Sequence, residues 1–282
     1  MSHPTGAEHP QVAFLGGGNM ARALVQGLLR EGWPAQRLRV GEPFEAARAA
    51  LAELGVHAGS DNAAAVAGAR LVVLAVKPQQ AAAVLGPLAP ALRASGSALL
   101  SIAAGLQIDG LARACPGVPI VRAMPNRPAL IGLGAAALHA PPALDPAVRA
   151  LAERVLAASG RTVWVPRESD LDIVTALSGS GPAYFFQLAE HMAAAATALG
   201  LEPATAIQLA VATLQGAGAL AGAGQPLADE RAAVTSKGGT TEAALASLDT
   251  GGFARLVARA LEAATRRSRE LAAQMAGPPA TH

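Results

Sequence analysis

Cysteine is almost missing from this chain, since Cys115 stands alone. That excludes an internal disulfide and any metal site built from several thiolates, and no metal site is expected. Such usage suits a reducing cytoplasm, where the protein is expected to work. Aromatic residues make up only 3% of the sequence, and Lys plus Arg (22) exceed Asp plus Glu (20) by a small margin. The basic residues are scattered, so neither the stacking platform nor the charged stripe of a nucleic-acid binder is present. A signal peptide is also lacking: residues 1–10 are polar, carry two prolines and read as a disordered tail. Residues 277–282 read as a second tail.

The longest uncharged stretch lies between Glu202 and Asp229. Alanine is its commonest residue, diluted by Gln208, Gln215, Gln225, glycines and threonines, and it lacks the Leu/Ile/Val density of a membrane span. No membrane partner is expected. A helix that is apolar or small on every side is instead buried all round, in a large core or between subunits.

What the chain does have is length and apolar content, 282 residues at 52% hydrophobic, enough for two domains. Gln11 to Leu15 is a short apolar run, followed by Gly16, Gly17, Gly18, Asn19 and Met20 and then an amphipathic segment to Arg30. This is strand, glycine turn and helix, the arrangement in which a helix N-terminus receives a pyrophosphate. Leu71 to Val76 is a continuous apolar run that suits a parallel strand buried on both faces, and it ends at Lys77-Pro78. Ligands bind at the carboxyl ends of such strands, which brings Ala75, Val76, Lys77 and Pro78 into the cofactor set. Lys77 either neutralises a phosphate or is a plain surface lysine.

Glu42 lies 26 residues after Gly16, near the position of a ribose-binding acid. A carboxylate there bonds a ribose 2′-OH and favours NAD, whereas Arg48 on the next helix could reach a 2′-phosphate; a solvated surface glutamate is equally compatible. Asn62 reads as a helix N-cap or as a cofactor contact. Further strands are expected at Ala98–Ile102, Pro119–Ala123, Ala135–His139 and Arg161–Pro166. In the loop Met124–Pro128, two prolines flank Asn126 and Arg127, which either places a polar side chain beside a ligand or simply makes a rigid turn.

From Glu168 onward the period is helical, with helices expected over Ala183–Leu199, Pro203–Ala223, Leu227–Val234, Thr241–Leu248 and Gly252–Met275. The fold class is therefore α/β: a Rossmann-type doubly wound domain over 11–166, then an all-α dimerisation and substrate domain over 167–276. Two loops in this half resemble ligand floors. Ser178, Gly179, Ser180 and Gly181 precede Pro182, so the backbone can approach a ligand closely, although an ordinary interhelical turn has the same composition. Ser236 to Thr241 is a glycine-threonine loop that opens a helix.

Together these motifs resemble pyrroline-5-carboxylate reductases over essentially the whole chain. The matching pieces are Phe14–Ala21, Ala75–Pro78, Val121–Asn126, Asp172–Tyr184 and Val234–Thr241. The Ser-Gly-Ser-Gly-Pro and Gly-Gly-Thr-Thr pair separates this family from other dinucleotide enzymes. The resemblance implies NADP as cofactor, with NADPH preferred and NADH possible, and 1-pyrroline-5-carboxylate as substrate. It also implies a homodimer or a multiple of dimers, whose helices interleave and complete each active site across the pair. Cofactor contacts fall on Leu15 to Met20, Asn62 and Ala75 to Pro78. The substrate loop falls on Ser236, Gly238, Gly239, Thr240 and Thr241, with Asn126 and Ser178 to Gly181 as further substrate contacts. Arg127 stands where threonine is more usual and Lys237 where proline is often found, so Lys237 is no obligatory acid or base.

The implied chemistry is hydride transfer to the carbon of a cyclic imine that carries a carboxylate. N–H groups at Gly239 to Thr241 suit that carboxylate. The Thr241 hydroxyl, or the Ser236 hydroxyl, is the candidate proton donor to the ring nitrogen; a helix cap is the competing role for both. A β-hydroxyacid dehydrogenase on a similar plan would need a helical lysine in the second half, where Lys237, in a loop, is the only lysine. A nucleotide-binding sensor without catalysis would have no need of both intact glycine loops.

Overall fold

The computed structural model describes residues 9–276. Of the expected tails, residues 1–8 and 277–282 lie outside the described residues. His9, assigned to the N-terminal tail from sequence, is buried and meets Trp33 edge-on at 4.9 Å between ring centroids.

The first compact unit comprises residues up to Gly179 together with those from Ala264 onward, and the second comprises Ser180–Ala263. The sequence expectation drew this division near Pro166. The chain instead runs on through Gly179, and the end of the last helix packs with the first unit.

The first unit is built on an eight-stranded sheet of order β3-β2-β1-β4-β5-β6-β7-β8. Its elements in chain order are β1 (Val12–Leu15), α1 (Asn19–Arg30), β2 (Leu38–Gly41), α2 (Glu45–Ala52), β3 (His57–Gly59), α3 (Asn62–Val66), β4 (Leu71–Leu74), α4 (Ala81–Ala94), β5 (Ala98–Ser101), α5 (Ile108–Ala114), β6 (Ile120–Met124), β7 (Gly134–His139), α6 (Pro146–Ala157), β8 (Gly160–Trp164) and α7 (Asp170–Val174). All pairings are parallel except β6 with β7. Side chains alternate between two cores: Val12, Phe14, Leu71, Val73 and Leu100 face one layer, while Ala13, Leu15, Val72, Leu74 and Leu99 face the other. This period of two, with apolar residues on both faces, is why these runs fold as central strands under helices on either side. β3 was not foreseen, because His57-Ala58-Gly59 is short and has an exposed first residue.

Cys115 is buried, and desolvation pushes its thiol up to about 11, so it stays protonated and unreactive at neutral pH. The junction after α7 departs from an ordinary interhelical turn, the alternative to a ligand floor. Thr175–Gly179 forms a π-helical turn that runs almost directly into α8 (Gly181–Ala198), with Pro182 in the first turn of that helix. Proline fits there because first-turn N–H groups have no partner inside the helix.

The second unit contains α8, α9 (Pro203–Gly222), α10 (Leu227–Ala233), α11 (Thr240–Thr250) and the start of α12 (Phe253–Ala276). α8 and α9 meet through small residues, Ala189 and Ala193 against Ala206 and Ala210, which allows close packing. The sequence expectation of a helix buried all round is not met within one chain. On α9 only Ala206 and Ala210 are buried, while Ile207, Leu209, Val211 and Leu220 are exposed. α9 is, among the described residues, the one helix long and apolar enough by length and composition to cross a membrane. The last part of α12 belongs to the first unit, where the Ser268 hydroxyl donates to the Asp172 carboxylate at 2.7 Å, both residues buried.

Candidate active site

The strand order reverses direction between β1 and β4, and the crevice beyond their carboxyl ends is where α/β sheets bind ligands. Gly16 follows β1 at φ +96°, and a Cβ on it would lie 2.9 Å from the Ala75 carbonyl oxygen that follows β4. Only glycine lets the two strand ends pass this closely. The Gly16 N–H donates to the Gly41 carbonyl at 2.8 Å, which pins the turn to the end of β2. α1 then opens at Asn19 with Gly18 as its cap and no side-chain cap bond, so its first N–H groups are available to an acceptor.

A cleft of about 850 Å³ lies here, lined by Gly16, Gly18, Glu42, Asn62, Ala75, Val76 and Lys77 among others. A glycine cradle, an uncapped helix N-terminus and a cleft of this size fit a nicotinamide dinucleotide. Leu15 is fully buried behind the loop as part of the sheet core, so it supports the loop from below.

Glu42 differs from its sequence expectation. It is buried at 6% exposure, and both carboxylate oxygens accept backbone N–H bonds, from Gly17 at 2.7 Å and from Phe44 at 2.9 Å. Arg48 closes the same corner by donating to the carbonyls of Glu42 (3.0 Å) and Pro43 (2.6 Å). Glu42 is thus not a solvated surface acid; it lines the cleft and braces the glycine loop. Asn62 is not the N-cap of α3. That role belongs to Asp61, whose carboxylate accepts from the N–H groups of Ala63 and Ala64. Asn62 lies one residue further on, its Oδ1 so close to Gly41 that no Cβ fits there. Lys77 is exposed on the rim of the cleft and precedes a short 3₁₀ turn at Pro78–Gln80.

Elsewhere in the first unit the structure brings Asn126 together with Ser178 and Gly179. The Asn126 side chain donates from Nδ2 to the Ser178 carbonyl at 3.0 Å and accepts at Oδ1 from the Ala135 N–H at 2.8 Å. Nearby, the buried Arg122 guanidinium meets Glu168 at 2.9 Å, and the same carboxylate oxygen accepts the Ile108 N–H at 2.8 Å. That pair secures the segment leading into α7. Sequence reading missed it, although an arginine inside an apolar strand was a usable signal, because such a charge needs a partner.

In the second unit, Gly239 caps α11 in an extended conformation, with Thr240 and Thr241 in its first turn. The Glu242 carboxylate reaches back to the Gly238 N–H at 2.7 Å, and the Gly239 N–H donates to the Ser236 carbonyl at 3.0 Å. The Ser236 Oγ occupies the space that a Cβ on Gly239 would need. Thr241 is half-buried while Ser236 and Lys237 are exposed. The loop is therefore a preformed bend at a helix N-terminus, suited to a small carboxylate. Glu242 had not been singled out from sequence, although an acid one turn inside a helix start is a recurrent bracing arrangement.

Comparison with known proteins agrees with this arrangement. A family model described as pyrroline-5-carboxylate reductase dimerisation matches residues 168–271, and one described as NADP oxidoreductase, coenzyme F420-dependent, matches residues 11–105. The pyrroline-5-carboxylate reductase of Haemophilus influenzae is 43% identical, covering 94% of this chain and 98% of its own. That of Pseudomonas aeruginosa is 45% identical with the same coverage. Among solved structures, the pyrroline-5-carboxylate reductase of Coxiella burnetii superposes with a TM-score of 0.90 at 38% identity, over 93% of this chain and 98% of that one. The Plasmodium falciparum enzyme with NADP bound gives 0.78 at 27% identity, over 94% and 99%. Identity at this level along nearly the full length of both chains, on the same two-part plan, means that the chain belongs to the pyrroline-5-carboxylate reductase family.

Proposed function

We propose that this protein reduces 1-pyrroline-5-carboxylate to L-proline with a nicotinamide cofactor, the last step of proline biosynthesis in the cytoplasm. The observation that carries the reading is the coexistence in one family member of the Gly16–Met20 cradle with a preformed Ser236–Thr241 bend at a helix start. When bound, the cofactor supplies the hydride for the imine carbon. The chain's own residues do the rest. N–H groups of Gly239, Thr240 and Thr241, at the positive end of the α11 dipole, hold the substrate carboxylate. Thr241 offers a hydroxyl to the ring nitrogen, with Ser236 as the lesser candidate. Ser178 to Gly181 present small side chains, so that their backbone can approach the ring closely. A protonated imine is already electrophilic, so alignment and exclusion of water are the main tasks. The deciding experiment follows nicotinamide absorbance with pyrroline-5-carboxylate and each cofactor in turn. No oxidation of either cofactor, in a protein that binds them, would leave a nucleotide-binding sensor.

NADPH is the preferred cofactor in this reading and NADH is also used. The Plasmodium relative has NADP bound, and the Arg48 guanidinium lies beside the β2 corner, where a 2′-phosphate would arrive. Because both Glu42 oxygens are engaged by loop N–H groups, Glu42→Gln sets an amide N–H against one of them. Affinity for NADPH and for NADH then falls together, by about tenfold each, the equivalent of one charge-assisted hydrogen bond in part. A change confined to one cofactor would place the carboxylate on the ribose.

The protein works as a homodimer or a multiple of dimers. Within one chain the second unit leaves Phe185, Phe186, Met192, Leu209 and Leu220 exposed, more apolar surface than a monomer tolerates in water. Sedimentation at micromolar concentration is expected to show no monomer, and a stable, active monomer would overturn the shared site.

A further inference from the structure

We propose that Asn126 is a positioning residue, which supplies the hydrogen-bond donor that Pro182 cannot and thereby fixes the Ser178–Gly181 turn. This rests on the reading above, in which that turn faces the imine.

In an α-helix the carbonyl of residue 178 is received by the N–H of residue 182. Here residue 182 is proline, which has no N–H. The next N–H along the chain, that of Ala183, donates to the Ser180 carbonyl at 3.0 Å. The Ser178 carbonyl ends a π-helical turn in which the α-helical donor at residue 182 is absent and the π-helical donor, the Ala183 N–H, is engaged by Ser180, so without another partner it would be a costly unpaired acceptor at a partly buried site. Asn126 Nδ2 donates to it at 3.0 Å. The orientation of the amide is determined by its other end, because the Ala135 N–H, 2.8 Å away, can only be met by Oδ1.

The location of Asn126 makes this a positioning bond rather than a chance contact. The residue is 8% exposed, follows the end of β6 and is flanked by Pro125, with Pro128 two residues on. A proline-stiffened loop holds the amide still. On the far side, Gly179 lies against the side chain of Met124, the last residue of the same strand, so closely that a Cβ there would stand 2.6 Å from its Cε. The sheet therefore sets the position of Ser178 and Gly179 through one polar bond and one close contact. The Ser178 hydroxyl turns back to the Val174 carbonyl at 3.1 Å, a bond within the turn, whereas Asn126 ties the turn from outside it. Asn126 acts on the substrate through this turn instead of touching it.

Asn126→Asp separates the two bonds. It keeps the acceptor for Ala135 but sets a carboxylate oxygen against the Ser178 carbonyl. The expected result is a KM for pyrroline-5-carboxylate raised about tenfold, with the KM for the nicotinamide cofactor within twofold. Amide hydrogen exchange over residues 175–184, measured without any ligand, should quicken by about the same factor. The rescue is Pro182→Ala, which gives residue 182 an N–H for the Ser178 carbonyl within one turn of continuous backbone. In that background Asn126→Asp should lose most of its effect on both readouts. Unchanged exchange in Asn126→Asp, or an undiminished effect in the double variant, would overturn the proposal. Should Asn126→Asp not fold alone, recovery of soluble protein by Pro182→Ala supports the tie. Failure of the double variant, with Pro182→Ala itself folded, counts against it. If the wild type does not reduce the imine, the functional reading fails, and the exchange measurements still decide the role of Asn126.

Discussion

Replacing Thr241 by valine is expected to lower turnover of the imine by about a hundredfold or more, the usual contribution of a positioned proton donor. Thr241 lies in the first turn of α11, half-buried, while the bend before it is held by Glu242 on the Gly238 N–H and by Gly239 on the Ser236 carbonyl. Valine keeps the shape and leaves the backbone N–H groups in place, so binding of the substrate carboxylate survives. The substitution therefore isolates the hydroxyl. Were that hydroxyl used only for binding, its loss would cost about 0.5–1.5 kcal/mol and would appear in the KM for the imine with little change in turnover. Ser236→Ala is expected to have an intermediate effect, because its hydroxyl packs under Gly239 and shapes the bend. Lys237→Pro should leave turnover within a few fold, since the Lys237 side chain is exposed in the loop before α11 and the family resemblance leads one to expect proline there. Full turnover in Thr241→Val would remove Thr241 from the mechanism and leave water as the proton source.

Gly16→Ala is expected to weaken both nicotinamide cofactors by about a hundredfold or more, measured by calorimetric titration. A left-handed backbone costs a residue with a Cβ roughly 1–2 kcal/mol, and here φ is +96°. The new methyl would also press on main chain, at 2.9 Å from the Ala75 oxygen and 3.0 Å from its carbon, and neither strand end can yield without the other. Together roughly 3 kcal/mol must be relieved by moving the glycine loop proposed to hold the cofactor, and each 1.4 kcal/mol is tenfold in affinity. Gly18 makes the contrast. A Cβ there meets no protein atom, so any loss in Gly18→Ala reports the ligand and not the loop. Equal, small losses at both positions would mean that the turn does not set the cradle.

Much of this fold was legible because its signals are local. Val12–Leu15 and Leu71–Leu74 are runs of apolar residues bounded by turn formers, and Pro203 marks the first turn of a helix that duly begins there. The family motifs located both glycine loops. What stayed hidden depends on partners distant in sequence. Nothing around Glu42 reveals that its carboxylate turns inward to Gly17, nor does the run Met124–Pro128 announce that Asn126 serves Ser178. A side chain's type and position set what it can donate or accept, but the tertiary structure selects the recipient. The second-unit helices were placed within a few residues for the same local reasons. For α9 the choice between cover by its own chain and cover by a second subunit stayed open, because a sequence shows that a face is apolar without showing which molecule covers it.

The return of α12 to the first unit has a consequence for how the protein is made. Ribosomes release a chain from its N-terminus, and domains generally fold as they emerge. This nucleotide-binding unit cannot finish in that order. Ala272, 3% exposed, and the Ser268 hydroxyl on Asp172 follow the helical insertion in the chain, so the early sheet waits, with the Asp172 carboxylate lacking its Ser268 bond, until that whole insertion has left the exit tunnel.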